Sequence, residues 1–127
     1  MYIEISISTA LITPTTPPAP DDVGALATFT GLVRNLENNQ PISALVYEAY
    51  QPMAETIIRR LLSELASEHP CHAVYVQHRI GTIPVGQAAI HITVQAKHRA
   101  PAFALLAAFM DRLKLDVPIW KTDILTA

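Results

Sequence analysis

Residues 88–121 read AAIHITVQAKHRAPAFALLAAFMDRLKLDVPIWK, and the change of period inside this stretch decides the fold. From Ala88 to Ala96 apolar and polar residues alternate, which is the repeat of a strand. From about His98 to Leu115 the apolar residues recur at three and four, the repeat of a helix, and Val117 to Ile124 reads as a short last strand. At about 100° per residue, Phe103, Leu106, Ala107, Met110 and Leu113 form one apolar stripe, and Lys114 falls into it. A lysine in an apolar setting is costly unless something negative meets it. Either Lys114 snorkels from the final turn and complements the negative end of the helix dipole, or it awaits an anionic or carbonyl-bearing substrate. Lys121, just beyond Pro118-Ile119-Trp120, sets a second cation nearby, and only Lys97 completes the set of lysines.

Working outward, Ala73–His78 (AVYVQH) alternates again and is joined to the 88–96 strand through Gly81-Thr82-Ile83-Pro84-Val85-Gly86, the signature of a turn, so a hairpin is expected. Residues 52–69 carry Ala54, Ile57, Ile58, Leu61, Leu62 and Leu65 at helical spacing, with Pro52 in the first turn. Glu55–Arg59 and Arg60–Glu64 are candidate i,i+4 pairs on its outer face. Residues 24–33 (GALATFTGLV) and 43–50 (SALVYEAY) read as strands that pair across the polar run Asn35–Pro41. Residues 2–8 alternate as a first strand. Pro14, Pro17, Pro18 and Pro20 forbid a helix between Thr13 and Asp22, which reads as an extended connector over the surface. Strands outnumber helices and come in adjacent pairs, so the fold class is α+β with an antiparallel or mixed sheet and two main helices. The 127 residues are expected to form a single domain.

Composition narrows the functional classes. Half the residues are hydrophobic and the formal net charge is −2, which fits neither a disordered tail nor a polycation that coats nucleic acid. No aromatic RNP-type strand supports RNA binding either. The lone Cys71 cannot form an internal disulfide and suits a reducing, cytoplasmic setting. The start, MYIEISIS, lacks the basic residues and unbroken apolar run of a signal peptide, and no run of about 18 apolar residues reads as a membrane span. HRIG at 78–81 and KHRA at 97–100 have no second ligand at zinc spacing, so no metal is expected. Cys71 and His72 point to opposite faces if in a strand, which argues against a Cys–His nucleophile. His78 and His91 read as strand or core residues.

His98 and Arg99 stand where a strand hands over to a helix, and the free N–H groups of a helix N-terminus bind anions. The competing reading is a solvated basic turn. Distribution favours the anion: five of the nine Lys and Arg residues, namely Lys97, Arg99, Arg112, Lys114 and Lys121, lie in the last 31 positions of an otherwise acidic chain.

Five blocks, FTGLVR at 29–34, LVYEAYQPMA at 45–54, HRIGTIPVG at 78–86, KHRAPAFALLAAFMDRLK at 97–114 and VPIWK at 117–121, resemble in order and spacing the large, catalytic subunit of molybdopterin synthase, the MoaE family. The resemblance implies the family's α/β hammerhead fold. It also implies a sulfurtransferase that takes sulfur from the C-terminal Gly-Gly thiocarboxylate of a small ubiquitin-like, MoaD-like carrier. The acceptor is cyclic pyranopterin monophosphate, and two transfers make the dithiolene of molybdopterin. No cofactor is implied. The assembly implied is a homodimer with one carrier at each end, a heterotetramer in which each pocket borrows residues across the dimer interface; neither nucleic acid nor membrane is a partner.

Carried over by motif, Lys114 and Lys121 match the family's two active-site lysines, and Arg34, His98 and Arg99 match residues lining the pterin phosphate pocket. Leu32 and Val33 come with Arg34, and Thr122 and Asp123 come with Lys121, as substrate-binding positions. Phe29 and Met53 are candidates to wall the channel for the carrier's tail, or are core residues. The family's usual helix between its first two strands cannot form across the prolines at 14–20. The alternative function is a non-catalytic module of the same fold that binds a phosphate or a carrier.

Overall fold

The computed structural model describes residues 1–127. In chain order the elements are β1 (Tyr2–Ser8), β2 (Ala25–Leu32), β3 (Leu36–Glu37), β4 (Gln40–Ala49), α1 (Gln51–Glu68), β5 (Ala73–Arg79), β6 (Gly81–Pro84), β7 (Ala88–Ala96), α2 (Arg99–Asp116) and β8 (Ile119–Thr126). They build two sheets in an α+β arrangement. One sheet has the order β1-β5-β7-β2, with β1 parallel to β5 and the other pairs antiparallel. The second has β3, β4 and β6 in order, with β8 also antiparallel to β4.

The two helices cover one face of the first sheet. Period-2 alternation sends Ile90, Ile92, Val94 and Ala96 of β7 and Val74 and Val76 of β5 toward them, where they meet Ile58, Leu61 and Leu62 of α1 and Leu105 and Phe109 of α2. A smaller cluster of Val33, Ile42, Leu45, Ile83 and Ala89 ties the second sheet to the first. Glu55 and Arg59 form the expected pair at 3.6 Å, whereas Glu64 is met at 3.8 Å by Arg112 of α2, which also donates to Asp116 at 2.7 Å. Arg112 therefore bridges the two helices at the surface.

Three expectations are corrected. Strands β2 and β4 do not pair: β2 lies on β7, and β4 is flanked by β6 and β8. The reason is local. Asn38 and Asn39 take φ of 51° and 63°, the left-handed pair of a two-residue hairpin turn, so β4 folds back on β3 rather than on β2. Second, the Gly81–Gly86 segment is more than a turn. Residues 81–84 leave the β5–β7 pair and add β6 to the second sheet against β4, with Gly81 and Gly86 in left-handed conformation at either end. Third, the core-facing stripe of α2 is Ala102, Leu105, Phe109 and Leu113. Phe103 is 62% exposed, and Lys114 lies on the solvent side of the apolar stripe rather than in the core.

The proline-rich connector runs over the other face of the first sheet. Strand β7 is buried along its whole length, so its outward residues His91, Thr93 and Gln95 are polar groups under cover. Thr30 Oγ1 and His91 Nδ1 are 2.7 Å apart, and Gln95 Nε2 donates to the carbonyls of Pro17 and Pro18 at 3.2 Å each. Prolines offer carbonyls but no N–H, so Gln95 Oε1 is left as the one buried side-chain polar atom without a partner. Gln95→Ala is expected to lower unfolding free energy by about 1 kcal/mol, a net hydrogen-bond loss softened by removal of the orphan. It should also speed proteolysis within residues 13–22, as limited digestion with mass analysis would read.

Burial holds the imidazoles of His78 and His91 below their ordinary value of 6.5; at His78 a hydrogen bond with the Arg79 carbonyl partly opposes this. The unfolded chain then binds protons near and below that value that the folded chain refuses. Stability is expected to be level above about pH 7 and to fall as pH drops through 6.5 and below, with a shallower slope in His91→Gln, read by denaturant unfolding across pH.

Candidate active site

The site is built where α2 ends and the two sheets meet. A cavity of about 250 Å³ opens there, lined by Phe29, Gly31 and Leu32 from β2, Tyr47 from β4, His78 from β5, Ala89 and Ile90 from β7, Met110, Leu113 and Lys114 from α2, and Ile119 from β8. Its walls are apolar. Lys114, Tyr47 and His78 are its polar side chains, so a charge placed inside would be weakly screened.

Lys121 is outside the lining but neighbours one of its residues. Strand pairing puts it opposite Tyr47, and its Nζ donates to Glu37 Oε2 at 3.0 Å. Burial raises the Tyr47 phenol above its ordinary range; the Lys121 charge pulls it down and Glu37 pushes it up, so the three groups share one electrostatic neighbourhood. Arg34 follows buried Val33 and leads into the β3–β4 hairpin that carries Glu37, so it belongs to this end of the molecule. The Val33 backbone is fixed by its N–H to the Gln87 carbonyl at 3.0 Å and by the Gly86 N–H to its own carbonyl at 2.9 Å. Thr122 Oγ1 donates to the Val46 carbonyl at 3.5 Å, and Asp123 accepts from the Ile124 N–H at 2.8 Å.

His98 and Arg99 are elsewhere. His98 is the N-cap of α2 in extended conformation, and Arg99 is its first residue, with no side chain capping the end and no acid in the first turn. That leaves free N–H groups beside Lys97, His98 and Arg99. The fifteen-residue step to Lys114 is about 22 Å along a helix at 1.5 Å per residue, so one chain cannot bring both clusters onto one small molecule. Met53 is half exposed on α1 and does not line the cavity, whereas Phe29 does.

Comparison with known proteins identifies the family. The MoaE family model, described as MoaE protein, matches residues 4–116. The chain belongs to the MoaE family. Two relatives, each described as a molybdopterin synthase catalytic subunit, illustrate the likeness. The human protein is 40% identical over 101 residues, covering 80% of this chain and 54% of the relative. That of Thermoplasma volcanium is 40% identical over 104 residues, covering 82% and 76%. The crystal structure of molybdopterin synthase from Staphylococcus aureus superposes with a TM-score of 0.81 at 32% identity, over 93% of this chain and 87% of that one. The chain spans about half the length of its mammalian and plant relatives. No helix of the chain is long and apolar enough to cross a membrane.

Of the residues expected at one site, Leu32 and Lys114 line the cavity and His98 and Arg99 lie apart from it, and three neighbours had no motif to mark them. His78 shares the core phase of Val74 and Val76, and a histidine in that phase was the available signal. Tyr47 alternates unremarkably in SALVYEAY, and Glu37 lies in a two-residue strand with no pattern at all.

Proposed function

We propose that this chain is the catalytic subunit of a molybdopterin synthase, acting in the cytoplasm as a single domain. It transfers sulfur from the C-terminal thiocarboxylate of a small ubiquitin-like carrier to cyclic pyranopterin monophosphate. The observation that carries this reading is the largely apolar cavity with Lys114 in its lining and Lys121 paired opposite its Tyr47. A narrow carrier tail with no side chains at Gly-Gly suits such a cavity. Lys114 meets the thiocarboxylate, and its ammonium stabilises charge on the carbonyl oxygen or supplies a proton as sulfur attacks. Lys121 and Arg34 serve the charge that develops as the cyclic phosphate opens; Glu37 holds Lys121 until an anion takes its place.

His98 and Arg99 serve the phosphate in the pocket of a second copy. The separation of about 22 Å between the two clusters supports this homodimeric site, because each cluster then completes the pocket of its partner. Leu32 and Val33 shape the pocket through a backbone fixed at Val33, and Thr122 and Asp123 through side chains that bond the Val46 carbonyl and the Ile124 N–H. A carrier bound at each end makes the assembly a heterotetramer.

The test is direct. Purified chain, thiocarboxylated carrier and cyclic pyranopterin monophosphate are mixed, and dithiolene product is measured. Product formation is expected; its absence with folded protein and authentic carrier would refute the proposal.

A further inference from the structure

His78 and Tyr47 share the cavity with Lys114, and the transfer as described gives neither a task. His78 closes the row Val74, Val76, His78 on the inner face of β5 and is 7% exposed. Its Nδ1 lies 2.8 Å from the Arg79 carbonyl oxygen, which can only accept, so Nδ1 carries the proton and Nε2 keeps a lone pair. Nε2 has no partner in the chain, yet the sole buried side-chain polar atom without one is Gln95 Oε1. Nε2 is therefore reachable from the cavity. The Tyr47 ring meets the imidazole edge-on at 5.8 Å and 68°, which holds its plane.

The chemistry of the proposed reaction needs a base here. After the thiocarboxylate sulfur bonds to the pterin side chain, the sulfur is still acylated by the carrier. The acyl C–S bond must break, and the oxygen that replaces sulfur comes from water. We propose that His78 Nε2 is the general base that activates this water. The water oxygen bonds to the carbonyl carbon while one of its protons passes to Nε2. The C–S bond breaks with its electron pair on sulfur, leaving a thiolate on the pterin beside Lys114 and a carboxyl group on the carrier. The inference rests on the sulfur-transfer reading.

The surroundings favour a neutral imidazole. Burial opposes its charged form, and the titratable groups facing it are Tyr47 from β4 and Lys114 from α2. The cavity residues of β2, β7 and β8 carry no titratable side chain. The Arg79 guanidinium turns away to the Thr9 carbonyl and to Gln87.

Single-turnover reactions followed by quenching and intact-mass analysis of the carrier separate the two steps. With the unaltered chain in H₂¹⁸O, the released carrier is expected to hold one ¹⁸O, and release should slow only at a pH below the ordinary imidazole range, because burial delays the proton that disables the base. With His78→Gln, sulfur attack is expected at its normal rate. The carrier–sulfur–pterin adduct should accumulate, with release slower by about 100-fold or more and no longer pH-dependent in that range. Added imidazole should restore release in His78→Ala. Equal slowing of attack and release without adduct, or normal release in His78→Gln, would overturn the proposal. If neither variant folds, release by the unaltered chain that stays flat from about pH 8 down to the onset of acid unfolding overturns it. If the unaltered chain yields neither adduct nor dithiolene, the sulfur-transfer reading itself fails and takes this inference with it.

Discussion

Lys114→Ala should reduce dithiolene formation by about 100- to 1,000-fold while leaving the fold intact, the scale of losing one preorganised charge at an oxyanion. The side chain is exposed on the solvent side and lines the cavity without packing in the core, so thermal unfolding should move little. Lys114→Arg should not rescue turnover. A guanidinium keeps the charge but holds its proton too tightly to shuttle it. Rapid-quench assays of product, alongside carrier-binding measurements, check this. Turnover within threefold of the unaltered chain would remove Lys114 from the chemistry.

Arg99→Ala should be comparably damaging even though Arg99 lies a helix-length from the cavity of its own chain, and mixing it with Lys114→Ala should bring activity back. If each pocket takes Lys114 from one chain and Arg99 from the other, a mixed dimer has one doubly altered pocket and one intact pocket. Random exchange makes about half the dimers mixed, so about a quarter of normal activity should return. Each variant alone should remain near background. Mixtures that never exceed the mean of the two separate variants would show that the two clusters do not share a pocket.

The legible parts of this fold are those whose neighbours in sequence are neighbours in space. Helix α1 announces itself through Ala54, Ile58, Leu61, Leu62 and Leu65, and β7 through strict alternation. Strand β6 was hidden inside GTIPVG because its glycines and proline satisfy a turn equally well; only the free edge of β4, far off in sequence, makes it a strand. Helix α2 is apolar on two flanks, Phe103-Leu106-Met110 and Leu105-Phe109-Leu113, and periodicity cannot say which one meets the sheet. The site divides in the same way. Lys114 and Lys121 stood out as charges in apolar company. His78 and Tyr47 did not, because their convergence requires β4, β5 and α2 to meet, and no local pattern encodes that meeting.

Helix α2 also acts as a ruler. If its start and its end each serve a pocket, as proposed, its length and its phase are both set. One inserted residue would advance the helix by about 1.5 Å and swing one end by about 100° against the other, misaligning two pockets at once. The connector over the outer face carries no such constraint, since it is anchored mainly by the grip of Gln95 on two carbonyls. Length changes should therefore be tolerated in residues 13–16 and forbidden in 100–113, so the proline-rich segment is where this scaffold has room to diverge and to accept inserted sequence.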